Sequence, residues 1–112
     1  MDSKLNNALG CIFGAFIGDA MGVYLEGRGE IPSGSETILA STMIGGGFLA
    51  VAPGQITDDS ELALSLARGL IAGSFAPPKE TTILPLNYIA REYVRWFRSD
   101  PFDIGNTCKK AF

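Results

Sequence analysis

Three consecutive oxygen-bearing side chains, Thr57, Asp58 and Asp59, are the residues of this sequence best suited to chemistry. They stand just before apolar residues with helical spacing, so they mark the start of a predicted helix. Such side chains often cap the free N–H groups of a helix, and Asp58 has capping-box spacing to Glu61. A cap needs only one oxygen, however, and neighbouring helical residues point about 100° apart, so all three could face a hard cation such as Mg²⁺, Mn²⁺ or Ca²⁺. Capping and an incomplete metal shell both remain open on this segment alone.

Three further residues carry polar groups near the ends of predicted helices. Glu26 follows the first helix, and Asp103 and Asn106 belong to a turn-forming segment. Taken singly, each is typical of a solvated, turn or cap residue. The chain has no histidine, which excludes Ser-His-Asp and Cys-His catalysis and any zinc site with imidazole ligands. Any chemistry must therefore use carboxylates, hydroxyls or backbone groups.

Composition predicts a single folded domain that does not bind nucleic acid. Of the 112 residues, 46% are hydrophobic and only 19% are charged, which is typical of a packed domain rather than a disordered segment. The net charge is −3, and the lysines and arginines are scattered along the chain. Such a chain offers no basic patch for a phosphate backbone.

Neither a membrane nor an oxidising compartment is predicted. The apolar run over residues 8–25 is about long enough to span a bilayer, but it contains Asp19 and several glycines. A secretory signal is also disfavoured, because Asp19 falls where the small residues of a cleavage site would lie. Cys11 and Cys108 fit neither a CxxC pair nor a disulfide framework, and we expect them to be reduced thiols. These features favour a soluble, cytoplasmic protein.

Helices are the elements that must position the candidate residues. Apolar positions recur with helical spacing in three stretches, and Asn106 or Thr107 suits the N-cap of a fourth helix. Gly73 and then Pro77-Pro78 are expected to end the second helix. The predicted helices cover residues 4–22, from Thr57 or Asp58 to about Ala72, and from about Pro85 to Phe97.

The first predicted helix carries both an apolar face, which we expect to be buried, and a stripe of glycines at four-residue intervals. Each glycine costs about 1 kcal/mol relative to alanine inside a helix. The stripe therefore predicts the close approach of another backbone or of a ligand, and tight helix packing is the favoured explanation. The glycines are Gly10, Gly14, Gly18 and Gly22.

Residues 27–55 have no helical periodicity and are rich in glycine, proline and serine. We predict a long glycine-rich connection there with a brief hairpin, of the kind that often forms a lid or binding loop. Its triple glycine, Gly45-Gly46-Gly47, lacks the strand, helix and lysine of a P-loop, so it is a weak phosphate signal.

Three segments in series make the sequence resemble the ADP-ribosylglycohydrolase family. They occur in the family's order and near its spacing, and together they cover nearly the whole chain. The segments are Gly18-Asp19-Ala20-x-Gly22 followed by Glu26, Gly54-x-x-Thr57-Asp58-Asp59-Ser60-x-x-Ala63-Leu64, and Trp96 ahead of Pro101-x-Asp103-Ile104-Gly105-Asn106-Thr107.

The resemblance implies an all-α fold, with residues 1–112 forming the N-terminal helices of an ADP-ribosylglycohydrolase-like domain. It also implies two divalent cations, Mg²⁺ or Mn²⁺, in the complete domain. The implied reaction is hydrolysis of the bond between ADP-ribose and a modified protein side chain, such as arginine or serine, or a related small ADP-ribosyl substrate. In that reaction the metals orient the ribose hydroxyls and activate water, while a carboxylate takes the proton.

The resemblance also assigns roles to single residues. Some would bind metal, some would act in catalysis and some would bind the substrate near the scissile bond and ribose. The metal ligands would be Thr57, Asp58 and Asp59; the catalytic residues Glu26 and Asp59; and the substrate-binding residues Asp103, Gly105 and Asn106.

Family domains are much longer than this chain and carry a late Asp-x-Asp-Thr/Ser motif that supplies the remaining metal ligands. Residues 1–112 contain no such motif. We therefore expect a domain truncated within its fourth helix, not competent in catalysis alone, and able to self-associate through exposed apolar helices. The alternatives are a non-catalytic module that binds ADP-ribose or a partner, and a small structural helical module whose glycine stripe packs on a partner helix.

Overall fold

The computed structural model describes residues 2–75 and 84–112. Within these residues the fold is all-α, which confirms the predicted class. A single pair of residues, Gly46 and Val51, forms an isolated antiparallel bridge there. The helices are α1 (Ser3–Gly22), α2 (Gly34–Ser41), α3 (Asp58–Ser74), α4 (Leu86–Phe97) and α5 (Asn106–Ala111). The chain divides into two compact units, Met1–Ser60 and Glu61–Phe112, and the division falls inside α3.

Helix α1 follows its predicted bounds closely, but its apolar face is not buried as expected. Asp2 caps the helix by accepting a 3.1 Å hydrogen bond from the backbone N–H of Lys4. Burial is confined to the C-terminal end, where Ala20 is 3% exposed, whereas Ile12 and Phe13 are 45% and 58% exposed. Periodicity identifies the apolar face of a helix but not the element that covers it, and no described residue covers this face deeply. The predicted self-association therefore stays a prediction.

The glycine stripe of α1 faces open space among the described residues. A Cβ atom added at Gly10, Gly14, Gly18 or Gly22 would meet no atom within 4 Å. The close approach predicted for these glycines is therefore not made by any part of the chain that the structure describes. Separately, none of the described helices is both long and apolar enough to cross a bilayer.

The segment predicted to be a connection contains helix α2. The interpretation of residues 27–55 as a loop was wrong over eight residues, because the helix is short and begins with glycine and serine. Ser33 and Glu36 form a capping box, in which each side chain is hydrogen-bonded to the backbone N–H of the other residue. The brief hairpin is confirmed by the paired hydrogen bonds of 2.7 and 3.1 Å between Gly46 and Val51.

In the second unit, α3 and α4 pack closely at a glycine. A Cβ on Gly69 would lie 2.5 Å from the Cα of Ile89, so only glycine allows this separation of the two backbones. A hydrogen bond also joins α3 and α4, since the indole N–H of Trp96 donates to the Glu61 carboxylate at 2.6 Å. Trp96 is 8% exposed, so its N–H needs such a partner.

Two predicted helix ends shift slightly. Helix α3 continues one residue past Gly73, and α4 begins at Leu86 with Pro85 as its N-cap residue. A Cβ on Gly73 would lie 2.1 Å from Pro85, so close packing accounts for this glycine better than helix termination does. The expected stop at Pro77-Pro78 lies outside the described residues.

Helix α5 starts one residue earlier than its predicted cap implies. Gly105 is the N-cap residue and Asn106 is already helical, so the expectation of Asn106 or Thr107 as the cap was wrong. Beyond the helix, the ring of Phe112 stacks on Phe97 with 4.9 Å between ring centroids. This aromatic contact holds the short α5 against α4, which a helix of six residues needs because it cannot sustain itself.

The packing at Gly69 gives a first test. We expect Gly69→Ala to lower the free energy of unfolding by about 2 kcal/mol, because the added methyl group forces α3 and α4 apart. Gly10→Ala is the matched control, since it adds the same methyl group to a helix facing open space and should stabilise α1 by up to about 1 kcal/mol. Urea unfolding followed by circular dichroism measures both. Equal effects of the two substitutions would contradict the close packing.

Candidate functional site

The N-terminus of α3 is capped by a carboxylate from α1. Asp19 accepts hydrogen bonds of 2.9 Å from the backbone N–H of Thr57 and 3.1 Å from that of Ser60. It also accepts from both hydroxyls, at 2.7 Å from Thr57 and at a shorter distance from Ser60. One carboxylate therefore satisfies two free N–H groups at the helix start and the hydroxyls of two buried residues beside them.

These contacts determine the protonation of Asp19. Burial alone would raise the pKa of its carboxyl, but the hydrogen bonds from Ser60 and Thr57 outweigh this effect and hold the pKa below its ordinary value. Donors that bind the charged form of an acid always act in this direction. Asp19 is therefore a fixed negative charge beneath the start of α3.

Asp59 has the opposite shift. Burial raises the pKa of its carboxyl first, and the negative charges of Asp58 and Asp19 raise it further. Asp59 therefore lies within electrostatic reach of Asp58 and Asp19, and its charged form is disfavoured. A bound cation would reverse this repulsion.

The predicted metal ligands differ in exposure but belong to the same unit. Thr57 is only 3% exposed, Asp58 is half-buried and Asp59 is exposed. The hydroxyl of Thr57 donates a hydrogen bond to Asp19, and a hydroxyl oxygen that donates still has lone pairs that can bind a cation. A hydroxyl and two carboxylates are the hard oxygen donors that Mg²⁺ and Mn²⁺ prefer, so the residues fit such a cation.

The donor set is too small to close a metal shell. Among the described residues, no three acidic or cysteine side chains are grouped as a metal cluster. Thr57, Asp58 and Asp59 give three donors, whereas Mg²⁺ takes six in near-octahedral geometry. Water or further residues must supply the rest of the shell.

Helix capping was the other interpretation of this segment, and the cap of α3 comes in part from a residue of another helix. Two of the free N–H groups of α3 are satisfied from another helix by Asp19, and Thr57 donates to that cap instead of acting as one. Glu61, the partner expected in a local capping box, accepts a hydrogen bond from the Trp96 indole.

The other candidate residues lie in two places. Glu26 is in the first unit, exposed on the turn that follows α1. Asp103, Gly105 and Asn106 are in the second unit, where Asp103 is half-buried in the loop before α5 and the other two are exposed at the start of that helix.

Asp19 and Ser60 were not singled out as site residues by the sequence. A carboxylate inside an otherwise apolar helix was the available signal, because such a group needs polar partners if it is shielded from water. The signal shows that a partner exists without identifying it, since Thr57 and Ser60 lie 38 and 41 positions along the chain.

Comparison with known proteins places these residues in context. A family model described as ADP-ribosylglycohydrolase matches residues 1–112, which is the whole chain. The ADP-ribosyl-[dinitrogen reductase] glycohydrolase of Rhodospirillum rubrum is 40% identical over 108 residues, covering 95% of this chain and 33% of that protein.

Two further relatives are named as ADP-ribosylarginine hydrolase Tri1. The protein from Serratia proteamaculans (strain 568) is 33% identical over 115 residues, covering 96% of this chain and 28% of its own length. The protein from Pseudomonas putida (strain GB-1) is 33% identical over 118 residues, covering 98% and 28%. The chain therefore spans about a third of the length of the curated relatives it matches.

Proposed function

Because the chain belongs to the ADP-ribosylglycohydrolase family, we propose that it supplies part of a metal-dependent site that hydrolyses the bond between ADP-ribose and a modified side chain. The observation that carries the proposal is the start of α3, where Asp19 holds Thr57 in place beside Asp58 and Asp59. Asp58 and Asp59 lie in the first turn of α3, and Thr57 directly before it is held by Asp19, which suits a site that must keep its geometry.

Thr57, Asp58 and Asp59 are the residues that would hold divalent metal, Mg²⁺ or Mn²⁺. When bound, such cations lower the pKa of water and orient ribose hydroxyls. Asp19 would support these residues, since it accepts a hydrogen bond from the Thr57 hydroxyl and so fixes the orientation of that hydroxyl. Its role parallels that of the groups that orient metal ligands in other sites.

Glu26 is the proposed general base. Its carboxylate is exposed on the turn after α1, where an incoming substrate and water can reach it. Accepting a proton from the attacking water is the task that a carboxylate can perform without histidine. Asp59 would complete the catalytic pair, because its exposed carboxylate can accept a hydrogen bond from a water molecule beside the residues that would hold the metal.

In the second unit, Asp103, Gly105 and Asn106 are proposed to bind the ADP-ribosyl group. Asp103 and Asn106 bring a carboxylate and an amide, which can accept hydrogen bonds from ribose hydroxyls. Gly105 has an extended backbone at the N-cap of α5 and no side chain to obstruct a ligand.

ADP-ribosylated arginine is the acceptor linkage that the comparisons favour. Two of the relatives are named for that linkage, and a third is named for an ADP-ribosylated protein. We further propose that residues 1–112 do not hydrolyse it alone, because their three donors leave the metal shell open. The reaction then needs ligands beyond those that Thr57, Asp58 and Asp59 provide.

A chimaera tests this proposal directly. Residues 1–112 replace the matching first third of the Rhodospirillum rubrum relative, and release of ADP-ribose from an ADP-ribosylarginine peptide is followed with Mn²⁺. We expect hydrolysis by the chimaera, none by residues 1–112 alone, and none by the chimaera carrying Asp59→Asn. A folded chimaera that binds ADP-ribose in calorimetry without hydrolysing the peptide would instead establish the non-catalytic binding module.

A further inference from the structure

The turn that carries Glu26 is short, buried at Val23 and exposed at its far end. It follows α1 and spans residues 23–27. The N–H of Leu25 donates a 2.8 Å hydrogen bond to the carbonyl of Gly22, the last residue of α1. Glu26 itself is exposed. The direction of the Glu26 side chain therefore depends on the contacts that hold the turn.

One side of the turn rests on the hairpin. A Cβ on Gly47 would lie 2.5 Å from the carbonyl oxygen of Val23, so the two backbones touch there. Phe48 reaches Gly27, where an added Cβ would lie 3.6 Å from the Cβ of Phe48. The hairpin therefore supports the beginning and the end of the turn from one side.

Arg28 makes a separate contact with the turn. Its guanidinium lies 4.5 Å from the centroid of the Tyr24 ring, within the range of a cation–π contact. The same guanidinium forms a short ion pair with Glu36 at the start of α2. Arg28 thus links a residue of the turn to a helix that lies outside it.

Glu36 is a firm anchor for this contact. Its other carboxylate oxygen accepts hydrogen bonds from the backbone N–H of Ser33 at 2.8 Å and from the Ser33 hydroxyl at 2.7 Å. The capping box therefore fixes one oxygen of Glu36 and leaves the other directed at Arg28. A single exposed ion pair contributes little, but here one partner is already ordered.

The backbone on either side of Arg28 makes this link necessary. Gly27 and Gly29 have φ values of 73° and 66°, a region in which glycine is the default residue. Glycine also allows the chain many other conformations, so the two glycines beside Arg28 do little to hold the end of the turn. The side chain between them supplies the restraint.

We propose that Arg28 is a positioning residue for Glu26, which it orients by tying Tyr24 of the turn to Glu36 of α2. The inference rests on the proposed function, since Glu26 matters only if it acts as the base. Tyr24, Arg28 and Glu36 form a clasp that holds the turn against α2. The hairpin then restrains the turn at Val23 and Gly27, and the clasp restrains it at Tyr24.

Spin labelling tests the clasp without relying on catalysis. A nitroxide is attached at Glu26→Cys in the chain with Cys11→Ser and Cys108→Ser, and its mobility is read from the electron paramagnetic resonance line shape. Glu36→Gln removes the ion pair but preserves a capping box, which accepts glutamine as well as glutamate. We expect Glu36→Gln to shorten the rotational correlation time of the label by about threefold, as for a freed loop on the nanosecond timescale.

Two controls separate positioning from a general structural role. Glu30→Gln makes the same change of charge on an exposed residue of the same loop and should leave the label unchanged. A second label at Asn7→Cys on α1 should not respond to Glu36→Gln. Arg28→Ala should match Glu36→Gln at residue 26, and the double variant should add nothing further.

Each result supports or overturns the proposed role of Arg28 or of Glu26. Unchanged mobility at residue 26, or equal loosening at residues 7 and 26, would overturn the positioning role of Arg28. Mn²⁺ bound at Thr57, Asp58 and Asp59 should also broaden the signal of the label at residue 26 in the chain with an intact clasp. Absence of that broadening, with the effect of Glu36→Gln intact, would overturn the proposed role of Glu26 while the clasp stands.

Discussion

Replacing Asp19 with alanine is expected to lower the free energy of unfolding by about 3 kcal/mol. The carboxylate accepts four hydrogen bonds, and Ser60 and Thr57 are only 1% and 3% exposed, so water cannot readily replace the lost acceptor. A hydrogen bond to a charged group contributes about 1.5–3 kcal/mol, and bonds to one group do not add fully. Urea unfolding followed by circular dichroism measures the loss.

Two variants show whether the effect belongs to this network. Asp19→Asn keeps the volume and one acceptor oxygen, so it should cost about half as much as alanine. Asp2→Ala removes a cap with a single 3.1 Å bond at the exposed start of α1 and should cost about 1 kcal/mol. If Asp19→Ala cost no more than Asp2→Ala, the network at the start of α3 would not contribute as described.

Acidity gives an independent check on Asp19. The folded-state pKa of its carboxyl is held below the ordinary value, because the hydrogen bonds outweigh burial. The stability from the charged form is therefore fully present above the ordinary aspartate pKa of about 3.9 and is lost as the pH falls through the folded-state pKa. The difference in stability between the unmodified chain and Asp19→Asn should accordingly be constant near pH 7 and shrink below about pH 4.

Helical periodicity was enough to locate the elements that carry the site. Helices α1, α3 and α4 begin and end within two residues of their predicted bounds, since long amphipathic stretches repeat the 3.6-residue signal several times. Helix α2 repeats it barely twice, so only the spacing of Ser33 and Glu36 could have revealed it.

Helical periodicity could not predict the contacts between residues that are distant in the sequence. The sequence presents Asp19 as an odd residue in an apolar helix, but its partners are set by how α1 and the start of α3 fold together. The apolar face of α1 shows the same limit, because Phe13 is exposed although its spacing is that of a buried residue. The local sequence indicates which side chains require burial or a hydrogen-bond partner. Whether they obtain it depends on the tertiary structure.

The sequence predicted which residues are candidate metal ligands and where they lie. It did not predict the pKa shift of Asp59. Thr57, Asp58 and Asp59 stand at the start of α3 as predicted. The raised pKa of Asp59 depends on burial and on the charge of Asp19 as well as that of its neighbour Asp58. That combination arises only when α1 brings Asp19 beneath the end of α3.

Substituting asparagine for Asp59 is expected to abolish most of the stabilisation that Mn²⁺ gives to the chain. At a free Mn²⁺ concentration 100 times its dissociation constant, binding stabilises the folded state by about 2.7 kcal/mol. Loss of a ligand carboxylate should weaken binding at least roughly 100-fold, since even the groups that orient ligands contribute about 10–100-fold. The same Mn²⁺ concentration should then stabilise Asp59→Asn by only about 0.4 kcal/mol.

The metal-free state should respond in the opposite direction, which makes the test specific. Burial and the charges of Asp58 and Asp19 disfavour the ionised carboxyl of Asp59, so removing that charge should raise the melting temperature without metal. Glu30→Gln is the control, because it removes one exposed charge from the same unit and should leave the response to Mn²⁺ intact. Thermal melts with Mn²⁺ and with EDTA compare all three proteins. If Mn²⁺ stabilised Asp59→Asn fully, Asp59 would not be a metal ligand. If Asp59→Asn were more stable in EDTA and were not stabilised by Mn²⁺, the Asp59 carboxylate would bind metal and lower the stability of the metal-free fold.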